Sequence, residues 1–253
     1  MPVAPGGLLV LVRHGQSTSN AAGRFTGWAD VPLTVRGEGE AAEAGRLMAQ
    51  HGLRPDVVHT SVLRRCVVSA DIVLEKLDRS WIPVYRTWRL NERQYGALTG
   101  RSKREVRQES GVELYQGWRR SLTAAPGPLA PEQLAELRAD PRYAAIRGAG
   151  VPAVESLADM VDRVVPYWVD VLAGELFSGR TVLVCAHGNS LRALVSVLDR
   201  LTAHEVEELN IPTGAPLLYT FDRDLRPLER GGRYLNPDRA RVAAEAVAAE
   251  GHT

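Results

Sequence analysis

The sequence predicts an α/β fold, a three-layer sandwich in which a mostly parallel sheet lies between layers of helices and which carries a lid-like insertion. Short apolar segments alternate along the chain with longer segments of helical periodicity. Two of the apolar segments, Leu8–Val12 and Thr181–Ala186, are short, rich in Val and Leu and followed by polar residues, as is typical of buried strands. We expect residues 1–253 to form a single domain with a large core.

The first half of the chain supplies three strands and two helices. After the first strand, Thr34 caps a helix that runs to about Gln50, because a threonine hydroxyl can accept from free N–H groups of a first helical turn. Asp56–His59 is a second short strand, and Ser61 opens a helix whose apolar side chains form one stripe. Ile82–Tyr85 is a third strand.

The second half repeats this alternation. Ser156 and Asp159 form a capping box at the start of a helix that runs to about Ala173. Pro166 inside that helix predicts a kink or a break. The remaining elements are the strand Thr181–Ala186, a helix from about Ser190 to Arg200, a helix capped by Thr202 with Glu205, and a last strand Leu217–Phe221.

Residues 121–153 do not fit this alternation. They contain five prolines and three glycines. A connection of this length is uncommon inside a compact domain unless it is functional, so the segment predicts an active-site lid or insertion. The Ala-rich segment after Pro237 fits either a helix or a frayed end.

Composition and charge exclude several classes of protein. The chain has 31 Lys and Arg and 30 Asp and Glu, so it lacks the basic excess of a nucleic-acid-binding domain. No apolar stretch approaches the ~18 residues of a membrane span, and the N-terminus has no signal-peptide pattern. Cys66 and Cys185 form no disulfide framework and have no metal-ligand spacing, so we expect a reducing, cytoplasmic setting and no metal site.

A histidine followed by a glycine ends both of the clearest strands. The first strand runs into His14 and Gly15, and the TVLVCA strand runs into His187 and Gly188. Ligands of parallel α/β sheets bind at the carboxyl ends of strands, so two such imidazoles would face one ligand. One would be a nucleophile, and a second, kept protonated, would stabilise charge on a phosphoryl group. The glycines would let backbone N–H groups approach the ligand, and the helix that opens at Asn189 favours an anion.

A single histidine at a strand end is usually structural, and only the repetition of the pattern favours a functional pair. A second feature is the segment 86–120, in which nine Lys and Arg face four Glu. For residues 101–109 a solvated helix face explains the charge, whereas Arg119 and Arg120 adjoin the predicted lid and suit phosphate or carboxylate groups. Arg65 lies where a strand end meets a helix, and Glu92 is a carboxyl that could exchange a proton with a substrate hydroxyl.

Nine motifs resemble those of one enzyme family. In order along residues 8–235 they are LVRHGQSTSN, RFTGWADVPLT, TSVLRRC, LNERQYGALTG, GWRR, PRYA, ESLADMVDRVVPYW, CAHGNSLRAL and ELNIPTGAPLLY. The chain thereby resembles the 2,3-bisphosphoglycerate-dependent phosphoglycerate mutases of the histidine phosphatase superfamily. The RHG motif is common to the superfamily, whereas FTGW, NERxYGAL, WRR and NIPTG point to the mutase branch.

The resemblance implies an isomerase that interconverts 3-phosphoglycerate and 2-phosphoglycerate in glycolysis and gluconeogenesis. His14 would carry the phosphoryl group as a phosphohistidine, primed by 2,3-bisphosphoglycerate. Glu92 would be the proton donor and acceptor, and His187 would stabilise the transition state, with Arg13 and Arg65 on the phosphoryl oxygens. The residues that match the family's substrate contacts are Ser17, Asn20, Thr26, Gly27, Arg93, Tyr95, Lys103, Arg119, Arg120, Gly188 and Asn189.

The resemblance also implies what surrounds this site. The ligand would be a small phosphorylated three-carbon substrate, with neither nucleic acid nor membrane as a partner, and the protein would be a homo-oligomer, a dimer or a tetramer. Residues 121–153 match the family's lid-like insertion, and residues 235–253 match its mobile C-terminal tail. No metal is implied, because the arginines and His187 supply the positive charge that a metal supplies elsewhere.

Three positions depart from the family's usual residues. Gln16 stands in place of Glu, Ser19 in place of Trp and Gln94 in place of His. The core chemical positions are present, so we expect activity, with rate or substrate preference as the properties that these departures would change. Two alternatives stay open: a phosphatase of the same superfamily that acts on a small phosphorylated metabolite, and a non-catalytic regulatory homologue. The Arg119 and Arg120 pair favours the mutase.

Overall fold

Six strands form one sheet in this computed structural model, which describes residues 7–146 and 150–249. They are β1 (Leu8–Arg13), β2 (Val57–Thr60), β3 (Val84–Arg86), β4 (Thr181–Ala186), β5 (Leu217–Thr220) and β6 (Arg233–Tyr234). The order across the sheet is β3-β2-β4-β1-β5-β6. Strands β3, β2, β4 and β1 are parallel, whereas the β1–β5 and β5–β6 pairs are antiparallel. The predicted mostly parallel sheet is therefore confirmed.

Helices connect most of the strands. They are α1 (Thr18–Ala21), α2 (Val35–Gln50), α3 (Arg64–Lys76), α4 (Lys103–Ser110), α5 (Val112–Arg120), α6 (Pro131–Ala139), α7 (Leu157–Tyr167), α8 (Ala173–Phe177), α9 (Gly188–Leu198), α10 (Ala203–Glu208) and α11 (Pro237–Ala249). Within the described residues, no helix is long and apolar enough to cross a bilayer.

Two helical layers cover the two faces of the sheet. Side chains alternate along a strand, so β1 sends Leu9 and Leu11 to one face and Val10 and Val12 to the other. The first pair packs with residues of α7 and α9, and the second with residues of α2 and α3. A parallel sheet buried on both faces in this way is a three-layer sandwich, as predicted.

The predicted helix caps are present, although two helices begin elsewhere than expected. Thr34 accepts from the Gly37 N–H (3.1 Å) at the start of α2. The helix expected to open at Ser61 begins at Arg64, because the backbone is still extended at Leu63. Helix α9 begins at Gly188 rather than at Ser190, since His187 is already its N-cap residue.

Two further differences concern the second half of the chain. Strand β6 follows the strand that was expected to be the last, and its two residues are too few to show a periodic pattern. Pro166 lies in the last turn of α7, and the backbone passes into a π-helix at Trp168–Leu172. Proline has no backbone N–H to donate to the preceding turn, which agrees with this change of hydrogen-bond pattern. The helical backbone then continues through α8 to Phe177 instead of ending near Ala173.

The proline-rich segment 121–153 holds α6 and is packed on the rest of the molecule. The Tyr143 ring lies against Trp28, with 4.8 Å between the centroids, and Arg142 pairs with Asp30 at 2.8 Å. None of its described residues lines the cleft identified below, so its action as a lid stays a prediction. Residues 147–149 lie outside the described residues, as do the last four of the predicted mobile tail, whose preceding part forms α11.

Candidate active site

The strand register brings three residues together at the carboxyl edge of the sheet. Strands β1, β4 and β2 are neighbours, and the residues directly after them are His14, His187 and Ser61. The His14 N–H donates to the carbonyl of Ala186 (3.0 Å). The two imidazole centroids are 4.9 Å apart, and Ser61 Oγ lies 2.9 Å from His187 Nε2. The expected pair of facing histidines is therefore present.

His14 is held as a neutral imidazole with a defined tautomer. Its Nδ1 lies 2.7 Å from the Gly15 carbonyl oxygen, and because a carbonyl can only accept, Nδ1 carries the proton. Nε2 then keeps its lone pair. Burial, with Arg65 and Arg13 nearby, lowers the pKa of His14 well below its usual value. A neutral imidazole with a free Nε2 lone pair is a competent nucleophile.

His187, the imidazole that we expect to be protonated beside a phosphoryl group, lies in surroundings that disfavour its charged form. It is fully buried, and Ser61 Oγ and Cys66 Sγ (3.2 Å) both lie at its Nε2. Burial is the largest cause that lowers the pKa of His187, followed by the charge of Arg65. A negative phosphoryl group beside the ring would favour its protonation, so the protonated state with a ligand bound stays a prediction.

Arg13 and Arg65 are fixed by backbone carbonyls. Arg13 donates to Ile211 (2.8 Å), and Arg65 donates to Ala29 (2.8 Å) and Gly27 (3.0 Å). Gly27 has φ +55°, a left-handed conformation that most side chains disfavour. Gly27 was predicted to contact the substrate, but it does not line the cleft. Its carbonyl holds Arg65 instead, and a direct contact with the substrate stays a prediction.

Of the two glycines after the histidines, Gly15 serves a different purpose from the one expected, whereas Gly188 lines the cleft, so its close approach to a ligand stays a prediction. Gly15 donates its N–H to Ser69 Oγ (3.1 Å), so that group is not directed at a ligand. A Cβ on Gly15 would lie 1.9 Å from the Gly37 carbonyl oxygen of α2, and glycine is needed there for packing. A Cβ on Gly188 would lie 3.5 Å from the Arg13 guanidinium, an ordinary contact.

A cleft opens above this edge of the sheet. The predicted site residues that line it are Arg13, Asn20, Thr26, Glu92, Tyr95, Lys103, Arg119, Arg120, Gly188 and Asn189. The lining residues that were not predicted are Arg24, Phe25, Arg192, Leu209, Asn210, Ile211 and Val247. Among these described residues six are cationic and Glu92 is the single carboxylate, a distribution that suits a small ligand with several negative charges.

Glu92 is held by one of its two oxygens. Its Oε1 accepts from the Arg93 backbone N–H (2.7 Å) and from Asn189 Nδ2 (2.9 Å). Asn189 Nδ2 also lies 3.0 Å from the Tyr95 hydroxyl. Because both hydrogen bonds go to Oε1, Oε2 is the oxygen suited to exchange a proton with a ligand in the cleft.

Two other predicted substrate contacts do not line the cleft. Ser17 is buried as the N-cap residue of α1, and its Oγ accepts from the backbone N–H of Asn20 (3.1 Å), which does line the cleft. The Arg93 guanidinium lies over the Tyr95 ring, 4.5 Å from its centroid, and donates to the Trp118 carbonyl. Direct contacts of these two side chains with a substrate stay predictions.

The departures from the family pattern also lie outside the cleft lining. Gln16 Oε1 accepts from Thr34 Oγ1 (2.9 Å), and the buried Gln94 accepts from Thr99 Oγ1 (3.1 Å). Ser19 is partly exposed. Gln16 and Gln94 thus replace the family's residues within local hydrogen-bond networks outside the cleft lining, although Gln16 lines an adjoining cavity together with Arg13 and Asn20.

Buried arginines that the sequence analysis did not single out hold the Glu92 loop, residues 88–95. Arg163 pairs with Glu155 at 2.6 Å, with both side chains at least 94% buried, and donates to the carbonyls of Arg89 (2.5 Å), Asn91 (3.0 Å) and Glu92 (3.0 Å). No sequence signal distinguishes such a pair from the solvated charges of an amphipathic helix. The buried Arg192, which lines the cleft, was overlooked for the same reason.

Metal ligands are not clustered at this site. Over residues 7–146 and 150–249, no group of three or more His, Cys, Asp and Glu side chains is arranged to hold a metal ion. Cys66 and Cys185 are free, buried thiols, and burial together with the hydrogen bond to Cys66 raises the pKa of Cys185.

Comparison with known proteins places this arrangement in a family. The model of the histidine phosphatase superfamily (branch 1) matches residues 9–147 and 129–230. A 2,3-bisphosphoglycerate-dependent phosphoglycerate mutase of Thermobifida fusca is 52% identical over 243 residues, 96% of this chain and 98% of that protein. The enzyme of the same name from Mycobacterium tuberculosis is 52% identical over 97% of this chain and 98% of its own length.

Solved structures show the same fold at lower identity. A mycobacterial glucosyl-3-phosphoglycerate phosphatase superposes with a TM-score of 0.67 at 22% identity, covering 90% of this chain and 96% of its own. The α-ribazole phosphatase of Shigella flexneri gives a TM-score of 0.64 at 23% identity, covering 88% and 95%. These two likenesses concern the fold alone.

Proposed function

Since the chain belongs to the histidine phosphatase superfamily and, within it, to the 2,3-bisphosphoglycerate-dependent phosphoglycerate mutases, we propose that it interconverts 3-phosphoglycerate and 2-phosphoglycerate through a phosphohistidine at His14. One observation carries the assignment of roles. A neutral His14 with Nε2 unprotonated lies beside His187, next to a cationic cleft in which Glu92 is the single carboxylate among the residues that the structure describes.

His14 and Glu92 divide the chemistry between them. As the Nε2–P bond forms, the bond from phosphorus to the substrate oxygen breaks, and Glu92 gives a proton to that oxygen. In the opposite direction Glu92 takes the proton of the substrate hydroxyl that attacks the phosphohistidine. Arg13, Arg65 and His187 stabilise the charge on the transferring phosphoryl oxygens.

The donors at the site fit a ligand with two phosphates and a carboxylate. Buried guanidinium nitrogens without a hydrogen-bond partner among the described residues include Arg13 Nε and Arg119 Nη1, and a buried donor without a partner is costly unless a ligand satisfies it. When bound, 2,3-bisphosphoglycerate supplies the phosphoryl group that primes His14. The arginines provide the positive charge, so the proposal includes no metal.

The remaining expectations belong to the same proposal. Asn20, Thr26, Lys103, Arg119, Arg120 and the residues at the start of α9 bind the substrate, and their place in the cleft lining supports this. A cytoplasmic location and a homo-oligomer, dimer or tetramer, complete the proposal.

Labelling of the protein tests the central role of His14. Incubation with 2,3-bisphosphoglycerate that carries labelled phosphate, in buffer with excess EDTA, should label the protein, because a metal-free site transfers the phosphoryl group to His14. A phosphoramidate is acid-labile, so mild acid should release the label.

His14→Ala provides the comparison, with His51→Ala as the matched control at an exposed histidine outside the cleft. The label should vanish in His14→Ala and persist in His51→Ala. Persistent labelling of His14→Ala would refute the assignment of His14, and labelling that needs an added divalent metal would refute the metal-free mechanism.

A further inference from the structure

Arg192 lies on α9 one turn after Asn189 and is 95% buried at the cleft. Its Nη1 donates to Asn189 Oδ1 (2.9 Å). Its Nη2 donates to the carbonyls of Val206 (2.6 Å) and Arg120 (3.2 Å). One guanidinium thus touches α9, α10 and the end of α5 at the same time, which only a planar side chain with several fixed donors can do.

The chemistry of these neighbours fixes the orientation of the Asn189 amide. A guanidinium can only donate, so the amide oxygen must face Arg192. The amide NH2 then faces Glu92 Oε1, which as a carboxylate can only accept. If the amide turned over, an oxygen would face the carboxylate and a nitrogen would face the guanidinium, and both contacts would be repulsive.

We propose that Arg192 is a positioning residue for the proton-transfer step: it fixes the Asn189 amide and thereby keeps a hydrogen-bond donor on Glu92. The inference deepens the proposed function, on which it rests, because it takes Glu92 as the proton carrier. Arg192 acts through Asn189 and need not touch the reacting atoms.

The same side chain connects the two walls of the cleft. Its bond to the Arg120 carbonyl binds the C-terminal end of α5, where the free carbonyls of a helix attract a cation. Arg119 and Arg120, at that helix end, line the same cleft as Glu92. Burial, together with Arg120 and Arg93, lowers the pKa of Arg192 to about 9, so the guanidinium stays charged near neutral pH.

Several ionisable groups surround Glu92 and must be considered in any pH measurement. Arg93 and Tyr95 belong to its own loop. Arg65 of α3 and Arg192 of α9 act on it from the packed helices. Only Arg192 among these four is connected to Glu92 through the Asn189 amide oxygen.

A double-mutant cycle tests the proposal through the pH dependence of kcat/KM. Loss of one hydrogen bond to a carboxylate should move the acidic limb of the profile up by about one pH unit in Arg192→Met. Asn189→Ala should give a similar shift. If Arg192 acts through Asn189, the double variant should show no further shift, because the second change removes nothing that is still in place.

The matched control is Arg79→Met. Arg79 donates to the Pro55 carbonyl (3.0 Å) and pairs with Asp56 (3.6 Å), outside the cleft, so its loss should leave the acidic limb in place. If Arg192→Met does not fold, Arg192→Gln serves instead, since it is too short to bond Asn189 and Val206 together. An unmoved limb in either Arg192 variant, or shifts that add in the double variant, would overturn the proposal.

A second readout separates this proposal from the proposed function. The side-chain amide NMR signal of Asn189, assigned by its absence in Asn189→Ala, should titrate with Glu92 in the unmodified protein. In Arg192→Met the signal should broaden or move and lose that titration. This measurement needs no turnover, so it tests the inference even if the chain does not isomerise phosphoglycerate. An unchanged Asn189 signal in Arg192→Met would contradict the inference.

Discussion

His14 and Glu92 are both buried, at 3% and 9% exposure, yet the molecule holds them in different ways. His14 directly follows β1, in the interior of the sheet, and its backbone N–H continues the hydrogen bonding to β4. Glu92 lies in an irregular loop, and the carbonyls of that loop are bound by the guanidinium of Arg163. The sheet therefore positions the nucleophile, whereas buried side chains position the proton carrier.

This difference has a physical consequence. A strand in the middle of a sheet is fixed by many backbone hydrogen bonds and by packing on both faces, so no single side chain decides its position. A loop depends on the few groups that satisfy its carbonyls. Substitution of those groups should disturb Glu92 while leaving phosphorylation of His14 largely intact.

Arg163→Met should have the largest effect, because it removes the side chain that holds the Glu92 loop. It leaves the Glu155 carboxylate buried without its charged partner, a change that costs roughly 3–5 kcal/mol. For a chain of this size the melting temperature should fall by about 6–20 °C. Calorimetry or circular dichroism measures this, and the isomerisation rate should fall more steeply than the rate of His14 labelling.

The control for this variant is Arg180→Met. Arg180 pairs with Glu175 at 2.5 Å, but its side chain is half exposed, and a pair of that kind contributes no more than about 1 kcal/mol. A similar loss of melting temperature in both variants would show that the buried pair has no special importance. A parallel fall of labelling and isomerisation in Arg163→Met would refute the division between sheet and loop.

A smaller effect is expected when Arg119 and Arg120 are both replaced by alanine. They line the cleft on the Glu92 side, and each charge-assisted hydrogen bond to a substrate contributes roughly 1.5–3 kcal/mol. Loss of even one such bond should lower isomerisation by about ten- to a hundredfold, and the ratio of phosphate release to isomerisation should rise, because His14 and Arg13 are untouched.

Arg104→Ala with Arg107→Ala is the matched control for this pair. Both belong to α4, in the same cationic segment, and neither lines the cleft. Their loss should change isomerisation less than threefold. If this control loses as much isomerisation as the Arg119 and Arg120 variant, the substrate is attracted by general charge and not by specific contacts. If phosphate release falls in parallel with isomerisation in the Arg119 and Arg120 variant, these two arginines bind the substrate without retaining the intermediate.

The same contrast explains how much the sequence could predict. Strands β1 and β4 were predicted because buried parallel strands are continuous apolar runs, and the histidines at their ends followed from that. The caps at Thr34 and Ser156 were predicted from local chemistry. These features depend on neighbours in the sequence or on a regular period, and both are visible without a structure.

The parts that could not be predicted depend on distant contacts. Arg163 lies 71 residues after Glu92, in the loop that it holds, and Arg192 lies 73 residues after Arg119, at the end of helix α5. The lowered pKa of His187 also depends on its burial and on Arg65, which only the packed structure reveals. Gln16 and Gln94 could be recognised as departures, but their local hydrogen bonds could not.

The most direct test of the central claim compares two rates on one preparation of the unmodified protein. One assay follows conversion of 3-phosphoglycerate to 2-phosphoglycerate in the presence of 2,3-bisphosphoglycerate, and the other follows release of inorganic phosphate from the same mixture. The cationic cleft and the anchored Glu92 predict that isomerisation is the faster reaction by a wide margin and needs 2,3-bisphosphoglycerate for priming. Phosphate release that outpaces isomerisation would contradict the account and make the protein a phosphatase.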